Sequence, residues 1–296
     1  MPPVATLGDV VEALMDWEVS DRRMAVSLTA LPSTAPLLCV HYRSTAWSNR
    51  RRSAGYYRQI VAGIQTEAAA IRAPGGPLGV VVTRLRPEAA SRLIGSSLQE
   101  LTDSSVAMRD LFGDGPVSVL EEQLAEADSS LERVQQVEAF LLPRLRANEL
   151  APAMQHAVRS LRDNPTLSGR VLAAQLDMSE RHLSRSFRSI FGISPKQFAR
   201  IARIGKIVRA RWNGGAWADI AHTMGFFDQA HMINDFKSMV GVTPTQLFCE
   251  VAGRNAALNT LFGRSPFSNF LVTCDFDILA PGRDRDASRP ALADLR

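Results

Sequence analysis

Leu172–Phe198 reads LAAQLDMSERHLSRSFRSIFGISPKQF, and Ile220–Leu247 reads IAHTMGFFDQAHMINDFKSMVGVTPTQL. The second stretch repeats the first. His182, Phe187, Gly192 and Pro195 recur as His231, Phe236, Gly241 and Pro244, each 49 positions on; Leu172, Ala173 and Leu176 recur as Ile220, Ala221 and Met224, 48 positions on. One extra residue therefore sits in the second turn. Ala173 and Ala221 are small where two helices would cross. Ser179 and Asp228 carry the short side-chain oxygen that accepts from the free amides of a helix start. Leu183 and Phe187, like Met232 and Phe236, stand four apart and share one helix face. Gly192 and Gly241 suit left-handed C-caps, and Pro195 and Pro244 suit first turns, where a missing amide costs nothing. The predicted unit is a helix pair fixed by a short turn, present twice.

This tandem resembles the DNA-binding domain of the AraC/XylS family of bacterial transcription regulators. GFFDQAHMINDFKSMVGVTPTQL, residues 225–247, lies closest to the family signature, and the resemblance covers about a third of the chain. It implies a long helix joining the two units. Here that helix is expected from Pro195 to Trp212, with Phe198, Ile201, Ile204 and Val208 at helical spacing and Asn213-Gly214-Gly215 as its stop. The second helix of each unit should enter a major groove of double-stranded DNA.

The resemblance also implies which side chains read the duplex. Arg181, Ser184 and Arg185 match the base-reading positions of the first unit. Arginine suits guanine because its fork matches the O6 and N7 acceptors. Gln229, Ala230, His231 and Asn234 occupy the corresponding face of the second unit. Asn and Gln can pair with adenine, whereas many family members have arginine where this chain has Asn234. His182 and His231, recurring in the repeat, read as framework or as readout. Arg188, Lys196, Arg200, Arg203, Lys206 and Lys237 are the expected phosphate contacts, which add salt-dependent affinity without sequence information.

Charge agrees with a polyanionic partner. The net charge is +4, but Gln155–Glu250 holds 13 Lys and Arg against 7 Asp and Glu, leaving 21 against 23 elsewhere. The basic excess falls on the repeat.

The fold class expected is α+β: a mixed β domain of cupin-like sandwich type with helices, then an all-α domain of two helix-turn-helix units on a long linker helix. The expected boundaries are 1–115 for an effector-sensing domain and 116–150 for a helical dimerisation or linker region. The DNA-binding domain would take 151–250, and a C-terminal extension with a disordered tail 251–296. In the first region, 78–85 (LGVVVTRL) is the clearest strand, 36–43 a further one, and 59–71 one strand or two, with an Ala-rich helix as the competing reading; 86–95 reads as a helix. In 117–145 Leu120, Leu124, Leu131, Val134, Val137 and Leu141 trace an apolar stripe, with a break and a new N-cap at Asp128-Ser129-Ser130. Those helices serve either a homodimer, as the family implies, or packing against the sandwich. Beyond Glu250, residues 268–279 (SNFLVTCDFDIL) resemble a strand that would join the N-terminal sheet or cover the last helix.

Enzyme motifs are missing from this chain. The first 150 residues hold a single histidine, His41, too few for a metal-binding cupin, and there is no P-loop, G-x-S-x-G or dinucleotide fingerprint. Cys39, Cys249 and Cys274 are too scattered for a zinc finger or a disulfide framework. No cofactor and no metal are expected. No signal-like start and no membrane-length apolar run occur, so a cytoplasmic protein without membrane contact is expected.

The candidate effector surface is 41–58 (HYRSTAWSNRRRSAGYYR). It gathers Arg43, Arg50, Arg51, Arg52 and Arg58 with Tyr42, Trp47, Tyr56 and Tyr57, a pairing of forked cations and stacking faces that suits a small anion or a nucleotide second messenger. A solvated basic loop is the plainer reading. The functional expectation is a sequence-specific transcription regulator governed by that effector, with RNA polymerase as a further partner. The alternative is a regulator controlled by a partner protein through 117–145.

Overall fold

The computed structural model describes residues 1–19, 26–50, 52, 54–73, 77–95, 98–254 and 270–272. The N-terminal half holds two five-stranded antiparallel sheets. One has strand order β1 (Val11–Val19), β8 (Leu78–Leu85), β3 (Leu37–His41), β6 (Gln59–Ala62), β9 (Ser105–Ala107). The other has order β10 (Phe270–Val272), β2 (Val26–Ala30), β7 (Ala69–Ala73), β4 (Ala46–Ser48), β5 (Gly55–Tyr57). Residues 59–71 thus divide into two strands, and they enter different sheets.

The apolar run of β8 follows from the burial of its sheet on both faces. Side chains alternate along a strand. Leu78, Val80 and Val82 meet Ala13, Leu28, Ala30, Leu37 and Ala73 between the sheets. Val81 and Leu85 join Leu14, Leu38, Val40 and Val61 in a second core that continues into the helices. Gly79 is needed in β8 because a Cβ there would lie 2.4 Å from the Tyr42 ring.

Two helices cover that second face: α4 (Asp114–Glu126) and α5 (Ser130–Leu141). The break falls where expected. Ser129 accepts from the Glu132 amide, and the Glu132 carboxylate accepts from the Asp128 amide. Arg133, 5% exposed, ties α5 to β1 by pairing with Asp16 at 3.1 Å and Glu18 at 3.0 Å, and it donates to the carbonyls of Leu124 and Ala127. Leu131 departs from the expected apolar stripe: it sits in the first turn of α5 and is 52% exposed. Of the helix expected over 86–95, only α1 (Ser91–Ile94) forms, preceded by a turn and closed by Gly95 in the left-handed conformation. Short helices α2 (Leu98–Leu101) and α3 (Met108–Phe112) flank β9.

The C-terminal half is helical: α6 (Pro152–Asp163), α7 (Gly169–Gln175), α8 (Glu180–Phe191), α9 (Pro195–Trp212), α10 (Trp217–Thr223), α11 (Gln229–Val240) and α12 (Pro244–Arg254). The α+β architecture with two helix-turn-helix units on a long connecting helix is therefore present. The strand expected at 268–279 is present as β10, which pairs antiparallel with β2 at the sheet edge. The rest of 255–296, including the expected disordered tail, lies outside the described residues. No helix among the described residues is long and apolar enough to cross a membrane.

Candidate nucleic-acid interface and sandwich cavity

The repeat folds as two turns with matching hydrogen bonds and caps. In the first, Asp177 takes a positive φ of 53° and the Met178 amide donates to the Ala173 carbonyl; in the second, Gly225 takes φ 71° and the Phe226 amide donates to Ala221. These pairs keep the 48-residue offset. Ser179 then caps α8 by accepting from the His182 amide, and Asp228 caps α11 by accepting from His231, at the 49-residue offset. The additional residue is therefore Phe227. Phe226 is buried, whereas Phe227 is 93% exposed, directly before the cap of α11. Gly192 and Gly241 close α8 and α11 with φ of 71° and 90°. Leu183 and Phe187 on α8, and Met232 and Phe236 on α11, are buried.

Opposite those buried stripes, α8 presents Arg181, Arg185 and Arg188 exposed and Ser184 half-buried, and α11 presents Gln229, Ala230, His231, Asn234 and Lys237 exposed. His231 has a framework contact, its ring standing edge-on to Phe226 at 5.3 Å. On α9, Lys196 is exposed. The other three α9 cations are held internally. Arg200 Nε donates to Asp235 at 2.8 Å and its Nη2 to Ser238, so it ties the linker helix to α11. Arg203 donates to the Pro165 carbonyl and stacks 4.7 Å over Phe226, and Lys206 donates to the Asp163 carbonyl. Helix packing, not sequence position, sets this division.

The expected effector surface at 41–58 is not gathered into one patch. Arg43 pairs with Glu18 at 2.7 Å and Arg58 with Glu121 of α4 at 2.5 Å. Tyr56 is exposed, Arg52 donates to the Thr102 carbonyl at 3.5 Å, and Arg51 lies outside the described residues. Strand alternation disperses them. Arg50 instead turns inward and is 7% exposed.

Arg50 borders two spaces. One is a cavity of about 50 Å³ between the sheets, also lined by Cys39, His41, Trp47, Tyr57 and Ile71. It adjoins a second cavity of about 60 Å³, with which it shares Cys39, His41, Ala46 and Ile71. The other is a polar cleft of about 600 Å³ lined by Asn49, Arg52, Gln65, Glu67 and Asp103. Burial pushes the Cys39 thiol up to about 12, and burial with the nearby Arg58 charge lowers His41 to about 4, so both are neutral near pH 7. Sequence reasoning missed this interior face of the segment, because a three-residue strand shows too little alternation to tell in from out.

The two halves meet at this cleft. Thr102 Oγ1 donates to the Phe191 carbonyl, at the C-terminus of α8, over 2.7 Å. The Ala68 amide donates to the Met239 carbonyl, near the C-terminus of α11, over 3.3 Å. Buried Glu88 accepts from Arg162 of α6 on both carboxylate oxygens at 2.9 Å. Both exposed-face helices are therefore pinned at their far ends to adjacent loops of the β half.

Capped, paired helices with exposed polar faces on a basic half define a tandem helix-turn-helix DNA-binding protein. Residues 172–249 match the family model described as a helix-turn-helix domain, and residues 1–107 match a domain of unknown function (DUF6597). Residues 172–249 thus carry a helix-turn-helix domain of AraC type. Among solved structures it is similar to ToxT from Vibrio cholerae, at 14% identity over 79% of this chain and 96% of that one, with a TM-score of 0.46. Unsaturated-fatty-acid-bound ToxT from Vibrio cholerae strain SCE256 matches at 12% identity over 80% and 94%, TM-score 0.45. The AraC-like transcriptional activator CuxR matches at 16% identity over 62% and 71%, TM-score 0.25. No curated protein matches the sequence.

Proposed function

We propose that the chain is a sequence-specific transcription regulator whose two reading helices, α8 and α11, are governed by a small effector held in the β half. The observation that carries this reading is the pinning of both helices to loops beside the Arg50 cleft. An effector that changes those loops acts on both reading helices at once, provided its affinity differs between the two arrangements.

In this reading Arg181, Ser184 and Arg185 contact base edges through α8, and Gln229, Ala230, His231 and Asn234 through α11. Phe227 joins them, since an apolar ring beside a reading helix can meet a thymine methyl. Arg188, Lys196 and Lys237, exposed and without an ion pair among the described residues, contact phosphate; Arg200, Arg203 and Lys206 act mainly by holding the helices. The protein is taken to work in the cytoplasm as a homodimer, with RNA polymerase as its further partner and no catalytic role.

Selection of bound duplexes from a random pool, followed by competition with random DNA, tests the reading. A selected consensus should emerge, and Arg185→Ala should lower discrimination at particular base pairs by about 1–3 kcal/mol. Equal loss on consensus and random DNA would remove Arg185 from base reading.

A further inference from the structure

We propose that the crevice between the linker helix α9 and the β half binds a small phosphorylated polyol through its phosphate monoester dianion. This site lies outside the sandwich interior and shares no lining residue with the Arg50 cleft, so it does not depend on the effector reading above.

The two halves face each other here across a second cleft, of about 320 Å³. Five cations line it: Arg84 of β8, Arg86 just beyond it, Arg162 of α6, and Lys206 and Arg209 of α9. The acids are fewer. Glu12 takes Arg84 Nε at 2.8 Å, Glu88 is shared by Arg162 and Arg159, and Asp163 lies 3.7 Å from Arg162 Nε. Five lining cations against these three carboxylates leave a local charge of +2. Arg86 and Arg209 form no ion pair among the described residues; Arg86 Nε donates to the Gly8 carbonyl at 2.8 Å, and Arg209 is exposed. The crowding registers on Arg84. Burial, opposed by Glu12 but reinforced by the charges of Arg209 and Arg162, lowers its pKa. A doubly charged anion in the cleft would offset that repulsion.

A separate observation marks the floor. Gly205 stands in the middle of α9 and lines the same cleft. Glycine is unfavourable inside a helix. Neither packing nor backbone requires it here, since the helix is regular and a Cβ would meet nothing within 4 Å. The missing side chain leaves bare backbone on the helix face shared with Ala202 and Arg209, open to close approach by a ligand.

A phosphate monoester carries close to two charges at pH 7 and three strong acceptor oxygens. Those oxygens suit arginine forks together with an ammonium, and Lys206, which spends one donor on the Asp163 carbonyl, keeps two more. Ser33 and Thr34 add hydroxyls to the wall, with Pro32 and Ile201 as a small apolar edge. The body selected is therefore compact and hydroxylated, and the volume stands at the low end for ligand pockets. Once seated, such a ligand would fasten α9 to the β half.

The test uses the full chain with glucose 6-phosphate, ribose 5-phosphate and glycerol 3-phosphate; glucose, ribose, glycerol and inorganic phosphate are the controls. Calorimetry reads binding. At least one phosphomonoester should bind once per chain, and its dephosphorylated counterpart and inorganic phosphate should each bind at least tenfold more weakly. Arg209→Gln should weaken the ligand at least tenfold, and the exposed control Arg109→Gln not at all. Gly205→Ala separates site from scaffold: it should raise Tm by about 2 °C through helix propensity, yet weaken the ligand at least tenfold. Hydrogen exchange over residues 200–210 should slow on binding. No phosphomonoester binding, equal binding of the free polyol or of phosphate, or undiminished binding by Arg209→Gln or Gly205→Ala would each overturn the proposal. A DNA backbone phosphate is the other source of the same chemistry. Arg209→Gln should leave the salt slope of DNA binding unchanged; a slope reduced by about one unit would assign the cluster to the duplex and overturn the small-ligand site.

Discussion

His41 lies inside the sandwich with its folded-state pKa near 4 instead of 6.5, because burial, aided by the Arg58 charge, disfavours the imidazolium. The sign of the consequence is fixed. The unfolded chain takes up a proton as pH falls below 6.5, while the folded chain resists until about 4, so stability falls with pH across that window. The expected loss is about 2 kcal/mol by pH 5. Chemical denaturation at pH 7.5 and 5 should show this slope in the natural chain and a flatter one in His41→Phe. Phe227 supports a second expectation at this scale. Phe227→Ala should leave Tm unchanged, because the ring touches solvent, yet weaken binding to a selected duplex; Phe227→Leu should retain part of that affinity. Replacing thymine with uracil at one position should weaken the natural protein and not Phe227→Ala. The site of Phe227 was legible as the step from a 48- to a 49-residue offset, but its exposure was not, because the neighbouring Phe226 is the one that packs.

Helix boundaries were the most readable feature of the chain. Ser179 and Asp228 cap, and Gly192 and Gly241 stop, where the repeat placed them. Each of those effects acts within a turn of the residue responsible. What the linker helix does with its cations was not readable, since the partners of Arg200, Arg203 and Lys206 lie 35 or more residues away. This separates two substitutions on one helix. Lys196→Ala should reduce the salt dependence of DNA binding by about one unit of slope and weaken all sequences alike. Arg200→Ala should leave the slope in place and cost about 1 kcal/mol of stability, a modest figure because the pair is partly exposed. Salt titrations of binding beside thermal unfolding of the same variants distinguish the two roles.

Across the whole molecule, the β half and the helical half share one continuous apolar core. The sequence places a dimerisation or linker region at 116–150, and nothing local reveals that Thr102 and Phe191, 89 residues apart, would share a hydrogen bond. Cutting that pin is informative. Thr102→Val should speed hydrogen exchange at the C-terminal turn of α8 and cost about 1 kcal/mol. Mass-spectrometric exchange over residues 188–194 reports it. The single inserted residue of the second turn also has a consequence for the DNA. In the reading proposed above, α8 offers arginines and α11 amides and an aromatic ring, so the two halves of the bound sequence would not be interchangeable. On that reading the site has a heading, like an arrow, and turning it around would present each element with the wrong text.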